Sequence, residues 1–324
     1  MGISRFGVTA RGHAVQRIVL GAGDLRVAVI TLGAALQDVR LGGIDRSLTI
    51  GSEDLALYEG ALRHHGTLIG PVVNRITGAA AQIDGTLHRF ATGPGEPVIL
   101  HSGAAGTHRK VWTLAEMSEN AVTLTLEMPD GEGGFPGNRH VSARYTLTAP
   151  ATLTLDLSVR TDRTTVINFA NHSYWNLDGG ETFAGHRLAI AADRYLPATP
   201  LFTPTGEIAP VDGSAYDFRM PRLLEPGDPP LDTNFCLSDA RRGLTDVLSL
   251  TGRSGLRLTM ATTEPGLQVY DFRNPLGSGL PAWHGLALEA QLWPDAPGRP
   301  GFPPIDLAPG QIYAPVTQWR FDRM

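Results

Sequence analysis

Alternation with a period of two runs through much of the chain. In 121–128, Val122, Leu124, Leu126 and Met128 fall on one side of an extended chain. In 140–147, Val141, Ala143, Tyr145 and Leu147 do the same. In 151–160, Leu153, Leu155, Leu157 and Val159 alternate with Thr152, Thr154, Asp156 and Ser158. Leu256, Leu258 and Met260 repeat the theme. Each stretch predicts a strand with one buried and one wetter face. Helical periodicity is scarce, and only 53–62 reads as a short helix. Strands alternating with long helices are absent, so an all-β fold, a large antiparallel β-sandwich, is expected. Two stretches read as long loops of the kind that often shape binding sites, 129–138 and the proline-rich 294–304. No low-complexity linker or repeat divides the chain, so one domain over 1–324 is expected.

Composition agrees with many strands and tight turns. The 38 glycines and 24 prolines make up close to a fifth of the 324 residues. The hydrophobic fraction of 42% is ample for a sizeable core. A net charge of −5 without a Lys/Arg run argues against a nucleic-acid partner. Cys236 is the one cysteine, so there is no internal disulfide and no cysteine-rich zinc site. Lys110 is the one lysine, hence the one candidate for Schiff-base chemistry. The first twenty residues lack the basic start and apolar run of a signal peptide, and no apolar stretch reaches membrane-spanning length. A cytoplasmic protein with no membrane association is expected.

Nucleotide and hydrolase motifs fail. Gly21-Ala22-Gly23 begins like a dinucleotide loop, but Arg26 stands where the third glycine belongs. Polar residues set in apolar text carry the remaining chemistry. Asn74-Arg75 follows the apolar run Leu68–Val73, and a guanidinium fork suits sugar hydroxyls as well as a surface carboxylate. His101 follows Val98-Ile99-Leu100. His172 lies in Ile167–Leu177, where His172, Tyr174 and Asn176 share a face if the run is extended. Histidine titrates near neutrality and is a natural proton donor. Glu289 sits in an almost wholly apolar strand, Gly285–Trp293, with Gln291 pointing the same way. A carboxylate there is costly unless paired or functional. Asp232 and Gln268 are weaker signals taken singly: the first suits a turn cap, the second simply alternates within a strand.

Taken in order, these segments resemble the aldose 1-epimerase (galactose mutarotase) family. The similarity begins at Asn74-Arg75-Ile76 and Leu100-His101-Ser102-Gly103. It continues through Gly134-Phe135-Pro136-Gly137-Asn138 and Asn171–Leu177. Next come Leu196-Pro197, Pro204–Ile208 and Asp217-Phe218-Arg219, then Asp232 with Asn234-Phe235, and Pro265–Tyr270. It ends in Glu289-Ala290-Gln291, Pro294–Pro297, Phe302-Pro303, Leu307 and Pro309-Gly310. The resemblance implies a β-sandwich with an open sugar cleft. It implies Glu289 as general base, His172 as general acid and His101 assisting at the sugar ring. Asn74, Arg75, Asp232 and Gln268 would hold hydroxyls. The partner would be a monosaccharide, with no cofactor or metal, and the protein a monomer or homodimer. The chain departs from the family pattern at Pro71, Ser102, Trp175 and Asp271-Phe272, where Thr-Gly is common in place of the last pair; these leave the sugar open. Three alternatives remain at this point. A hexose 6-phosphate substrate would want a basic cluster, for which Arg63, Arg109 and Arg139 are candidates. A metal enzyme would use His101, His172 and Glu289 as ligands. A non-catalytic sugar sensor would share the fold.

Overall fold

Antiparallel pairing dominates the computed structural model, which describes residues 2–275 and 277–323. The alternating segments form the nine-stranded sheet. Its order is Thr113–Met117, Ala121–Met128, Arg139–Thr148, Thr152–Thr161, Val316–Arg323, Leu256–Thr262, Thr245–Thr251, Arg187–Ile190 and Arg222–Leu223. Val141, Ala143, Tyr145 and Leu147 are all inaccessible to solvent, as their spacing requires, and pair in register with Val159, Leu157, Leu155 and Leu153. A four-stranded sheet spans Gly2–Val8 to Ala35–Leu41.

The third large sheet has six strands, in the order Tyr174–Trp175, Leu286–Gln291, Gly266–Tyr270, Asp232–Cys236, Arg194–Leu196 and Ala209–Pro210. Its register sets the site. Gln268 pairs with Glu289 on one side and Asn234 on the other. Tyr270 pairs with Asp232 and Ala287, and Ala287 with Tyr174. Paired residues and their i±2 neighbours share a face, so Asp232, Gln268, Tyr270, Glu289 and Tyr174 all project from one side. One continuous core contains residues of all three large sheets, including Val29, Tyr145, Leu258 and Leu288.

The expected helix shrinks to a single turn, Leu55–Glu59. Asp54 caps it by accepting from the Ala56 N–H, Leu55 and Tyr58 bury the inner face, and the turn ends at Gly60. The two long loops are present but serve as supports. Residues 129–138 contain a 3₁₀ turn, Glu132–Gly134. In 294–304, Asp295 accepts from the Thr77 N–H (2.7 Å) and from Arg299, bracing the short strand Arg75–Thr77 from behind. Among the described residues, no helix is long and apolar enough to cross a membrane.

Tyr145 ties the nine-stranded sheet to the turn that leads into Ala35–Leu41 by donating its hydroxyl to the Ala34 carbonyl at 2.9 Å. Tyr145→Phe leaves that buried acceptor unpaired and is expected to lower unfolding free energy by about 1–2 kcal/mol, measured by denaturant titration. An unchanged midpoint would show that the bond contributes nothing net.

Candidate active site

The polar face of the six-stranded sheet forms the floor of a cleft of about 210 Å³, smaller than the ~300–1,000 Å³ typical of drug-sized sites. Asn74, Arg75, His101, His172, Asp232, Gln268 and Glu289 all line it. The seven residues singled out in the sequence, spread over 216 positions, thus converge.

Two backbone devices place the histidines. His172 donates its N–H to the Thr67 carbonyl (2.9 Å) and accepts from the Gly66 N–H (3.0 Å). Gly66 has φ +72°, and a Cβ there would lie 2.1 Å from the Leu36 carbonyl oxygen, so only glycine fits. Asn74 and His101 are tied reciprocally. The His101 N–H donates to the Asn74 carbonyl (2.8 Å), and His101 Nδ1 accepts from the Asn74 N–H (3.1 Å). That second bond leaves the ring proton on Nε2, so a neutral His101 offers a donor at that atom.

Glu289 and His172 meet at the bottom. His172 Nε2 is 3.4 Å from Glu289 Oε1, and both side chains are almost wholly excluded from water. Glu289 Oε2 and His172 Nδ1 have no protein partner among the described residues. Burial pushes the Glu289 carboxyl well above the ordinary carboxylate range; Asp232 adds to the effect and Arg75 opposes it. Burial also pushes the His172 imidazole down to about 4. Two groups this close titrate as a pair. Asp232 accepts from Gln268 Nε2 at 2.7 Å and sits 4.0 Å from Arg75 Nη1. Arg75 in turn lies 5.2 Å under the ring of Phe202, a half-exposed aromatic at the cleft mouth.

Strain gathers here. Asn74, His101, Phe202 and Phe272 all line the cleft and all hold a left-handed backbone, φ 63°, 52°, 57° and 52°. Such conformations persist where surroundings over-determine them, as at binding sites.

Several sequence expectations are corrected. Asn176 does not face the cleft. The chain is strand only at Ala170–Asn171 and Tyr174–Trp175, and the Asn176 amide turns to the carbonyls of Gly180 and His284. Gln291 shares the face of Glu289 but lies sealed in the interior, its amide unpaired. Of the candidate phosphate-binding arginines, only Arg63 lines the cleft. Arg63 also lines, with Arg109, Lys110 and Glu132, a neighbouring cavity of about 590 Å³. Arg139 is fully buried and donates to the Pro129 carbonyl. That cavity is larger than the cleft, yet Glu289, His172 and Asp232 all belong to the cleft. Neither long loop lines the cleft. Among the described residues, no group of three His, Cys, Asp or Glu side chains is arranged to hold a metal ion.

His64, His65, Arg273 and Asn274, which the sequence does not single out, also line the cleft, as does Phe272, noted there only as a departure from the family pattern. His64 stacks on His172 (ring centroids 5.7 Å apart) and meets His101 and His108 edge-on at 4.8 and 4.9 Å. His65 lies flat against Tyr174 at 4.2 Å with both ring nitrogens unpaired. The adjacent pair His64-His65 was the available signal, but without a strand or helix pattern it gave no direction.

This geometry can be set beside known proteins. A sequence model of the family described as aldose 1-epimerase matches residues 16–320. The chain belongs to the aldose 1-epimerase family. It is 33% identical to a galactose mutarotase from Bos taurus, over 95% of this chain and 94% of that protein. It is 30% identical to an aldose 1-epimerase from Escherichia coli K12, over 91% of each. Among solved structures, the fold is similar to that of a C. elegans aldose epimerase homologue, with a TM-score of 0.88 at 24% identity, covering 96% of this chain and all of that one. It is also similar to a galactose 1-epimerase from Lactobacillus acidophilus, with a TM-score of 0.86 at 24% identity, covering 99% and 98%. The antiparallel, strand-rich fold expected from the alternation is that of the family.

The histidine cluster makes stability acid-sensitive. Burial lowers His172 to about 4 and His65 and His108 to about 3. Each is neutral in the fold where its unfolded counterpart, near 6.5, takes up a proton. Their contribution is full above about pH 6.5 and drains away as the pH falls towards the folded values. Glu289, raised, works in the opposite direction, its contribution lost as the pH rises above the ordinary carboxylate range. Near pH 5, His65→Phe is expected to flatten the dependence of unfolding free energy by roughly 1.4 kcal/mol per pH unit. An unchanged slope would show that His65 is not held neutral.

Proposed function

We propose that this chain interconverts the α and β anomers of a free aldose, with Glu289 as general base and His172 as general acid. The observation that carries the assignment is the pairing of these two buried groups 3.4 Å apart on the cleft floor. Ring opening must take a proton from the C1 hydroxyl and give one to the ring oxygen. Both oxygens are bonded to C1, so acid and base must be neighbours.

The proton count balances. In the reactive arrangement Glu289 is ionised and His172 protonated. Glu289 takes the O1 proton, His172 delivers its own to O5, the C1–O5 bond breaks and the C1 carbonyl forms. The pair is now carboxylic acid and neutral imidazole, with the total unchanged. Rotation about C1–C2 presents the other carbonyl face. O5 attacks C1 and returns its proton to His172, while Glu289 returns a proton to O1. Burial disfavours both charges, so the sugar-free pair favours carboxylic acid beside neutral imidazole, the arrangement from which ring closure starts. Arg75 opposes the upward shift of Glu289 and so favours its ionised form. His101 offers Nε2–H to the ring oxygen side, edge-on to His172 at 5.4 Å. Asn74, Arg75, Asp232 and Gln268 hold hydroxyls. On this proposal the protein is a single-domain cytoplasmic enzyme without cofactor or metal, a monomer or homodimer acting on a monosaccharide. Relatedness over nearly the whole chain to proteins named galactose mutarotase and aldose 1-epimerase supports the activity.

Following optical rotation of fresh α-D-glucose or α-D-galactose tests this. Glu289→Gln and His172→Gln are each expected to lower kcat by about 10²–10⁴ with the fold intact. Wild type no faster than buffer with either sugar would overturn the activity, and an active Glu289→Gln would overturn the base assignment.

A further inference from the structure

The chain turns back over the cleft after the strand Gly266–Tyr270, and this turn holds a charged group that the proton transfers do not use. Phe272 has a left-handed backbone, is almost wholly buried, and wedges edge-on against Tyr174 (5.1 Å) and His65 (5.2 Å). On either side of it, Asp271 is fully buried while Arg273 lines the cleft. The two are clamped together: Arg273 Nε donates to Asp271 Oδ1 at 2.9 Å and Nη2 to Oδ2 at 2.8 Å. Oδ2 also accepts from the Leu231 N–H at 3.1 Å, which fixes the clamp to the residue beside Asp232.

A guanidinium gripped by two parallel bonds from a buried carboxylate has one orientation and pays little entropy to bind. Its Nη1 has no protein acceptor among the described residues. Within the cleft the clamp stands on the Asp232 side. Tyr270, next to the clamp, pairs with Asp232, and the Leu231 N–H holds Asp271. An aldopyranose with C1 at Glu289 and His172 carries C4 at the opposite end of its ring.

The geometry points to Arg273, clamped by Asp271, as a specificity-determining residue that donates a hydrogen bond from Nη1 to the O4 hydroxyl of the bound aldose. This rests on the mutarotase reading and goes beyond it by naming what reads the far end of the sugar. Asp271 and Phe272 stand where the family pattern commonly has Thr-Gly, so the turn that carries Arg273 departs from that pattern.

Polarimetric kinetics of wild type, Arg273→Gln and Arg273→Lys with D-glucose, D-galactose and 4-deoxy-D-glucose test the assignment, with calorimetric binding of each sugar as a second readout. Arg273→Gln is expected to raise KM and the dissociation constant for both hexoses about tenfold. Its kcat is expected to stay within about twofold of wild type, the signature of lost uniform binding. The 4-deoxy sugar, already weak with wild type, should bind the variant equally well. Arg273→Lys keeps the charge but breaks the parallel clamp, and should show the same hexose-only loss; it serves if the glutamine variant fails to fold. Unchanged hexose KM in a folded variant, or equal weakening of 4-deoxy-D-glucose, would overturn the inference. A wild type that binds these sugars but turns none over would overturn the mutarotase reading, while calorimetry still reads the Arg273 contact.

Discussion

Burial of a carboxyl group beside an imidazole is the constraint on which the rest of this molecule depends. In water, Glu289 would be ionised and His172 half protonated near neutrality, and neither would hold the other's proton. Sealed at the floor of the cleft, the two share one proton, and burial of both charges favours its place on the carboxyl. In the proposed mechanism the ionised pair and the neutral pair are the beginning and the end of the ring-opening step. The same burial is costly, since unpaired polar atoms remain on both groups. Sugar oxygens placed between them would satisfy those atoms.

The fold answers this cost with rigidity. Glu289 stands in a fully buried strand, Leu286–Gln291, paired on both edges. His172 is pinned through its backbone to Gly66 and Thr67, and His101 through its ring to Asn74. Left-handed turns at Asn74, His101, Phe202 and Phe272 aim side chains into a space that regular strands would leave open. The nine-stranded sheet supplies the core against which these pieces are held, and the loop at Asp295 braces the strand that carries Arg75.

Much of this was legible in the sequence because strands write their burial with period two. Val141 to Leu147 and Leu153 to Val159 declare their faces outright. Glu289 declared itself as a charge in apolar text. The weaker signals, Asp232 and Gln268, gained meaning only through collinear family motifs and then through strand register. What was not legible depended on where regular structure stops. Asn176 was assigned to the face of His172 by alternation, but the strand ends at Trp175 and the amide caps a turn. Arg139, a candidate for a phosphate-binding cluster, is sealed in the interior. His64 and His65 lie in a loop with no periodicity to orient them. Arg273 follows a turn whose direction is set by strained Phe272 and buried Asp271, and no spacing rule encodes that.

The shared proton can be observed directly. Titrating the ¹³C-labelled side-chain carboxyl of Glu289 by NMR in the sugar-free protein, with Glu289→Gln assigning the resonance, gives its protonation midpoint. The account predicts a midpoint clearly above the ~4.3 of a solvated glutamate, accompanied by a response to His172→Gln. A midpoint at or below that value, indifferent to His172, would mean that Glu289 and His172 do not form the coupled acid–base pair on which the mechanism rests.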